Sequence, residues 1–277
     1  MSNLVSTEWL AAHLGAVRVV DASWYMPGEK RAPAKEFEAG HIPGAVFFDI
    51  DAISDHATDL PHMLPAAGAF TAAVGALGIG NAQSVIVYDG SGIFSAPRVW
   101  WMLKAMGHAD VKVLDGGLPK WLREGRALES GAAMPAAKPF TANPQPRMIR
   151  GFDDVMGIVR DQSARMVDAR SAGRYTGAEP EPRAGVRGGH MPGAANLHFR
   201  SLLTADGTFK SPVALRSEFE QAGVDIAKPI VTTCGTGVTA AILMLALEEI
   251  GASDVALYDG SWTEWGSRPE APVLTGP

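Results

Sequence analysis

Short apolar runs alternate with longer helical patterns along this chain. In the second half, "PIVTT" (229–233) is an apolar, β-branched run that predicts a buried strand. "VTAAILMLALEEIG" (238–251) combines strong helix formers with a terminal glycine and predicts a helix. "DVALYDG" (254–260) reads as the next strand. Strand, turn, helix and strand in this order predict an α/β fold with a parallel sheet flanked by helices. In such sheets the loops leaving the C-terminal strand ends carry the sites. The turn after Thr233 is therefore the first place to look for chemistry.

The pattern occurs twice. "VVDASW" (19–24) returns as "MVDARS" (166–171), and "GHIPGAVFFDI" (40–50) as "GHMPGAANLHF" (189–199). "VIVYDGSG" (85–92) returns as "IVTTCGTG" (230–237), and "DVKVLDGGLPKW" (110–121) as "DVALYDGSWTEW" (254–265). Four matches in one order, offset by 144 to 149 residues, make the chain two versions of one domain. Pro135, Pro139, Pro144 and Pro146 resist helix and central strand, which predicts an extended linker over 135–148 between a first domain (1–134) and a second (149–277).

A net charge of −6 and the lack of a basic stripe argue against nucleic-acid binding. Nothing approaches the roughly 20 apolar residues that span a bilayer. "MSNLVSTEWLAAHLGAVRVV" (1–20) lacks the basic and apolar regions of a secretory signal. The single cysteine rules out an intramolecular disulfide. These features predict a soluble cytoplasmic protein with no membrane or nucleic-acid partner. One cysteine and scattered histidines offer no metal-ligand spacing. His41 and His190 fill equivalent positions in the repeated "GH-x-PGA" turn, which predicts a structural role in both halves.

That cysteine, Cys234, lies in "VTTCGTGVTA" (231–240), at the junction of predicted strand and helix. Gly235 and Gly237 allow a tight turn in which successive amides point inward, reinforced by the helix N-terminus. A sulfur there is favoured as its anion, which suits a nucleophile. Rival chemistries fail on sequence. A cysteine phosphatase would need an arginine where Ala240 stands. No lysine between 229 and 250 supports a P-loop, and one cysteine cannot make a redox pair. In the first copy Asp89 occupies the place of Cys234. A carboxylate cannot carry a sulfane sulfur, so the first domain is expected to be non-catalytic.

The duplication, together with "GHIPGA"/"GHMPGA", "YTGAEPEPRAG", "SAPRVWWMLKAMGH" and "CGTGVTA", resembles the two-domain sulfurtransferases of the rhodanese superfamily. The chain is most similar to the 3-mercaptopyruvate sulfurtransferase branch, whose loop is uncharged after the cysteine. The resemblance implies two tandem rhodanese-like domains and a persulfide on Cys234. It implies 3-mercaptopyruvate as donor and a thiol acceptor, such as thioredoxin or a small dithiol, or cyanide. No cofactor is implied. Arg174 and Arg183 would clamp the donor's carboxylate and carbonyl, with Gly235, Gly237, Val238 and Thr239 forming the rest of the substrate site. The competing reading pairs either arginine with Glu179 or Glu181 on the surface; Arg170 and Arg187 are weaker candidates for the clamp. By the same resemblance Thr236, His62 and Asp51 form a catalytic hydroxyl–histidine–carboxylate relay. Thr236 stands where most members carry serine. Thiosulfate as donor, or a non-enzymatic sulfur-carrier module, are the alternatives.

Overall fold

Runs of Val, Ile and Thr form the central strands of two sheets. The computed structural model describes residues 2–277. The first sheet contains β1 (Leu4–Val5), β2 (Arg18–Asp21), β3 (Ala45–Phe47), β4 (Val85–Tyr88) and β5 (Val111–Leu114) in the order β1-β5-β4-β2-β3. The second contains β6 (Ile149–Arg150), β7 (Arg165–Asp168), β8 (Ala195–Asn196), β9 (Ile230–Thr233) and β10 (Val255–Tyr258) in the order β6-β10-β9-β7-β8. Every pairing is parallel, and the second order repeats the first.

Helices α1 (Thr7–His13), α2 (Pro33–Ala39), α3 (Ala67–Ala76), α4 (Ala96–Ala105) and α5 (Gly117–Arg123) belong to the first half of the chain. Helices α6 (Phe152–Asp161), α7 (Ala172–Thr176), α8 (Pro212–Gln221), α9 (Ala240–Glu249) and α10 (Ser261–Ser267) belong to the second. Residues Ala240 to Leu247 of α9 are all buried, which explains why its sequence has no polar face. The helix begins at Ala240 rather than Val238 because Val238 and Thr239 form a turn; past its end Gly251 takes φ +90°. Around β7, β9 and β10 the core includes Val155, Met166, Val231, Tyr258, Trp262 and Trp265. Its counterpart includes Leu10, Val19, Ile86, Tyr88, Leu114 and Trp121. Among the described residues no helix is long and apolar enough to cross a membrane.

The chain forms two units whose membership is not a simple cut. Unit 1 takes the chain up to His56, Leu64–Gln145 and Leu203–Phe209; unit 2 takes Ala57–Met63, Pro146–Leu202 and Lys210–Pro277. The two seven-residue segments that change sides lie 146 residues apart, within the spacing of the repeat. In unit 1, Asp115 Oδ1 accepts the Phe209 amide at 2.9 Å and the Asp206 carbonyl accepts from Arg123 at 2.7 Å. The proline-dense stretch has neither helix nor strand up to Gln145, and it is pinned rather than loose. Its amides at Lys138, Asn143 and Gln145 donate to Gly75, Met106 and Ala105, and Phe140 is buried.

His41 and His190 do the same structural work in the two units. Each is buried, stacks on an aromatic ring (Phe37 at 3.9 Å, Tyr175 at 4.0 Å) and bonds through Nδ1 to that residue's carbonyl.

The turn after β4 shows what this loop geometry does with charge. Asp89 is 1% exposed, yet its carboxylate accepts four backbone amides: Ser91 on Oδ1, and Phe94, Ser95 and Ala96 on Oδ2, all at 2.8 to 2.9 Å. The strand-to-helix turn is thus an anion cradle occupied by its own side chain. Asp89→Ala should leave these amides without their acceptor and lower the unfolding free energy by about 1–3 kcal/mol. Urea denaturation measures this, and an unchanged midpoint would contradict it.

Candidate active site

In unit 2 the corresponding turn carries Cys234, directly after β9. The carbonyls of Cys234 and Gly235 accept the first amides of α10, from Trp262 and Thr263, both at 2.9 Å, and the Thr263 hydroxyl adds a bond to Gly235 at 2.7 Å. In a trans peptide the carbonyl and the following N–H point in opposite directions. Fixing these two carbonyls on α10 therefore turns the amides of Gly235 and Thr236 the other way. Among the described residues, no protein acceptor takes the amide hydrogens of Thr236, Thr239 or Ala240. By the repeat these match Ser91, Phe94 and Ser95, three of the four donors to Asp89. The fourth, Ala96, matches Ala241, whose amide donates to Val238 at 3.3 Å. Where unit 1 satisfies its turn amides with a carboxylate, unit 2 leaves three of the matching amides without a protein acceptor among the described residues.

Leu118 donates to the Asp89 carbonyl just as Trp262 does to Cys234, at 3.0 and 2.9 Å. Before Leu118 the backbone is left-handed at Gly117, φ +52°; the equivalent Ser261 adopts φ +49°. A side chain in that region costs of order 1–3 kcal/mol. The hydroxyl is in use: Ser261 Oγ accepts the Cys234 amide at 3.2 Å and donates to the Tyr258 carbonyl at 2.8 Å. The sequence reading passed over Ser261, although aligning "LDGG" with "YDGS" exposes the replacement. Cys234 itself is 1% exposed.

Arg174 lies at the mouth of this turn. Helix α7 places it there, with the Ser171 hydroxyl accepting its amide at 3.4 Å. A Cβ on Gly235 would stand 3.0 Å from Arg174 Nη2, which places the guanidinium close against the backbone beside Cys234. Arg174 also binds Glu181 through Nε (3.2 Å) and Nη2 (2.5 Å). The pair forms, but not as a surface pair, because the Glu181 side chain is 4% exposed. Glu179 instead accepts the Ser171 hydroxyl at 3.0 Å.

Arg170 is committed to structure. Buried over the Trp262 ring, it binds Asp168 at 2.6 Å, Glu181 at 2.8 Å and the Gly189 carbonyl at 2.7 Å. Burial opposes its charge, but Asp168 and Glu181 outweigh burial and raise its pKa above the ordinary arginine value. Arg187 is equally committed, donating to the carbonyls of Trp265, Gly266, Arg268 and Ala271 around the end of α10. Neither is available to clamp a substrate, which corrects their place among the weaker candidates. Arg183 is exposed on the loop beyond Glu181, with no ion pair among the described residues. Val238 is buried in the turn, and Thr236 and Thr239 are half-buried.

His62 is buried with left-handed φ +61° in the segment that belongs to unit 2. Asp51 belongs to unit 1, where its Oδ2 accepts the Trp24 indole N–H at 3.1 Å. The Arg174–Glu181 pair is the competing reading the sequence offers, buried here instead of on the surface; the second bond of Glu181, to Arg170, has no signal in the sequence.

The rhodanese-like domain family matches residues 6–124 and 152–268. The human 3-mercaptopyruvate sulfurtransferase is 45% identical over 99% of this chain and 95% of its own length. The Bos taurus thiosulfate sulfurtransferase is 44% identical over 99% of this chain and 95% of its own. The crystal structure of the 3-mercaptopyruvate sulfotransferase SseA from Escherichia coli superposes with a TM-score of 0.87 at 40% identity, covering 95% of this chain and 99% of that one. With a cysteine turn in one domain and a carboxylate in the other, this chain belongs to the rhodanese sulfurtransferases, in the 3-mercaptopyruvate sulfurtransferase family.

Proposed function

We propose that this enzyme takes sulfur from 3-mercaptopyruvate onto Cys234 and passes it to a thiol. The Cys234 thiolate attacks the donor sulfur; the S–S bond forms as the donor's C–S bond breaks. The electron pair leaves as the enolate of pyruvate, which gains a proton to give pyruvate. An acceptor thiolate (thioredoxin, or a small dithiol) then attacks the outer sulfur and restores the Cys234 thiolate. Cyanide in its place yields thiocyanate. The two half-reactions predict ping-pong kinetics.

The observation that carries this reading is the Arg174 guanidinium over Gly235, in a turn with no charged residue of its own. A planar guanidinium suits a carboxylate, which it can bind through two parallel N–H bonds. We assign Arg183 as the second grip on the donor, and Gly235, Gly237, Val238 and Thr239 as the surrounding wall. Thr236, His62 and Asp51 form the proposed relay that protonates the enolate. The methyl of threonine restricts the hydroxyl's rotation more than serine would. Thiosulfate is the second reading, favoured by the near-equal identity to the bovine thiosulfate enzyme.

Incubation with mercaptopyruvate should add the mass of one sulfur atom to the Cys234 peptide, and Cys234→Ser should take up none; sulfur on the variant would overturn the assignment. Arg174→Ala should reduce kcat/KM for mercaptopyruvate by roughly tenfold or more, as expected for a lost charge-assisted contact, and spare thiosulfate turnover. Equal losses on both donors would refute the carboxylate clamp.

A further inference from the structure

Four charged side chains form one chain behind the cysteine turn. Asp168, at the end of β7, is 1% exposed and binds Arg170; Arg170 binds Glu181; Glu181 binds Arg174. Two carboxylates and two guanidiniums leave the set neutral. Among the described residues the β2 end of unit 1 has no Asp–Arg–Glu–Arg chain; near it Glu36 binds Arg31 and the Tyr25 hydroxyl instead. There Asp21 matches Asp168, but Ser23 replaces Arg170, and burial pushes the Asp21 carboxyl above its ordinary pKa, with hydrogen bonds from Ser23 and Tyr88 only partly opposing it. The paired chain is therefore particular to the unit that holds Cys234.

Glu181 binds Arg174 along one edge only. Its two oxygens take Nε and Nη2, which leaves the Nη1–Nη2 edge, and that end of the guanidinium lies nearest Gly235. A guanidinium fixed along one edge and open along the other is preorganised for a planar, two-oxygen anion. The carboxylate also cancels one positive charge beside the turn, which weakens attraction for a dianion held by charge alone.

Resting on the proposed role of Arg174, we infer that Glu181 is the positioning residue that sets donor choice in this enzyme. It aims the free edge of Arg174 at a carboxylate-bearing donor and keeps the site neutral against a dianionic one. Glu181→Gln preserves size but releases the aim and adds one net positive charge.

The test is kcat/KM for mercaptopyruvate and thiosulfate with the wild type, Glu181→Gln and Glu181→Asp. Glu181→Gln should lose roughly ten- to a hundredfold on mercaptopyruvate, the scale of a misplaced binding group, and lose little or gain on thiosulfate. Glu181→Asp keeps the charge and should recover part of the mercaptopyruvate rate. On an Arg174→Ala background, Glu181→Gln should cost nothing further, because Glu181 acts through Arg174. A general loss of folding would depress both donors alike and lower the melting temperature; an unchanged donor ratio in both Glu181 variants overturns the inference while leaving the enzyme's reaction intact. A wild type that releases no pyruvate from mercaptopyruvate overturns the underlying reading and this inference with it.

Discussion

The site depends on a pair of backbone carbonyls. By giving the carbonyls of Cys234 and Gly235 to the first amides of α10, the fold decides which way the following amides face. No side chain could do this as rigidly, because the peptide plane has no rotamers. The next strand and helix are thus part of the cysteine's environment, although they follow it by more than twenty residues in sequence. Ser261 tightens the same junction, at a backbone angle that its counterpart meets with glycine.

Duplication gives this chain its own control experiment. The same turn occurs in both units, with the same contact from the following helix to the leading carbonyl. In unit 1 a carboxylate satisfies the amides and the turn is finished as structure. In unit 2 a thiol stands there instead, too short and too weak an acceptor to satisfy them, so the amides remain for an added atom. The exchange of Asp89 for Cys234 leaves this second turn without the carboxylate that fills the first, and Ser261 in place of Gly117 adds a hydroxyl beside it. Around it, second-unit charges follow a matching logic: Arg170 and Arg187 are spent on structure, and Arg174 alone of the three reaches the turn.

Much of this was legible in the sequence. Apolar runs located β9, α9 and β10 to within two residues, since buried strands and an all-round apolar helix leave strong patterns. The repeats point to the two-domain α/β architecture, and Cys234 lies directly after β9 as its sequence position suggests. What stayed hidden was long-range. Residues 57–63 read as first-half sequence, yet they are built into unit 2. No local pattern encodes an exchange of segments. The second bond of Glu181, to Arg170, was equally invisible, because it depends on how the loop after α7 folds back. The proline stretch has no helix or strand up to Gln145, but a 3-10 turn covers Pro146–Met148, and the prolines say nothing about the surface the stretch binds.

The central claim is that the amides of Thr236, Thr239 and Ala240 receive the transferred sulfur as their counterparts receive Asp89. A crystal structure of the protein after loading with a sulfur donor tests this most directly. The account predicts the outer sulfur on Cys234 within hydrogen-bond reach of those three amides, with the Cys234 and Gly235 carbonyls still bound to α10. An outer sulfur turned away from them, with the amides occupied by water or the turn re-formed, would contradict it.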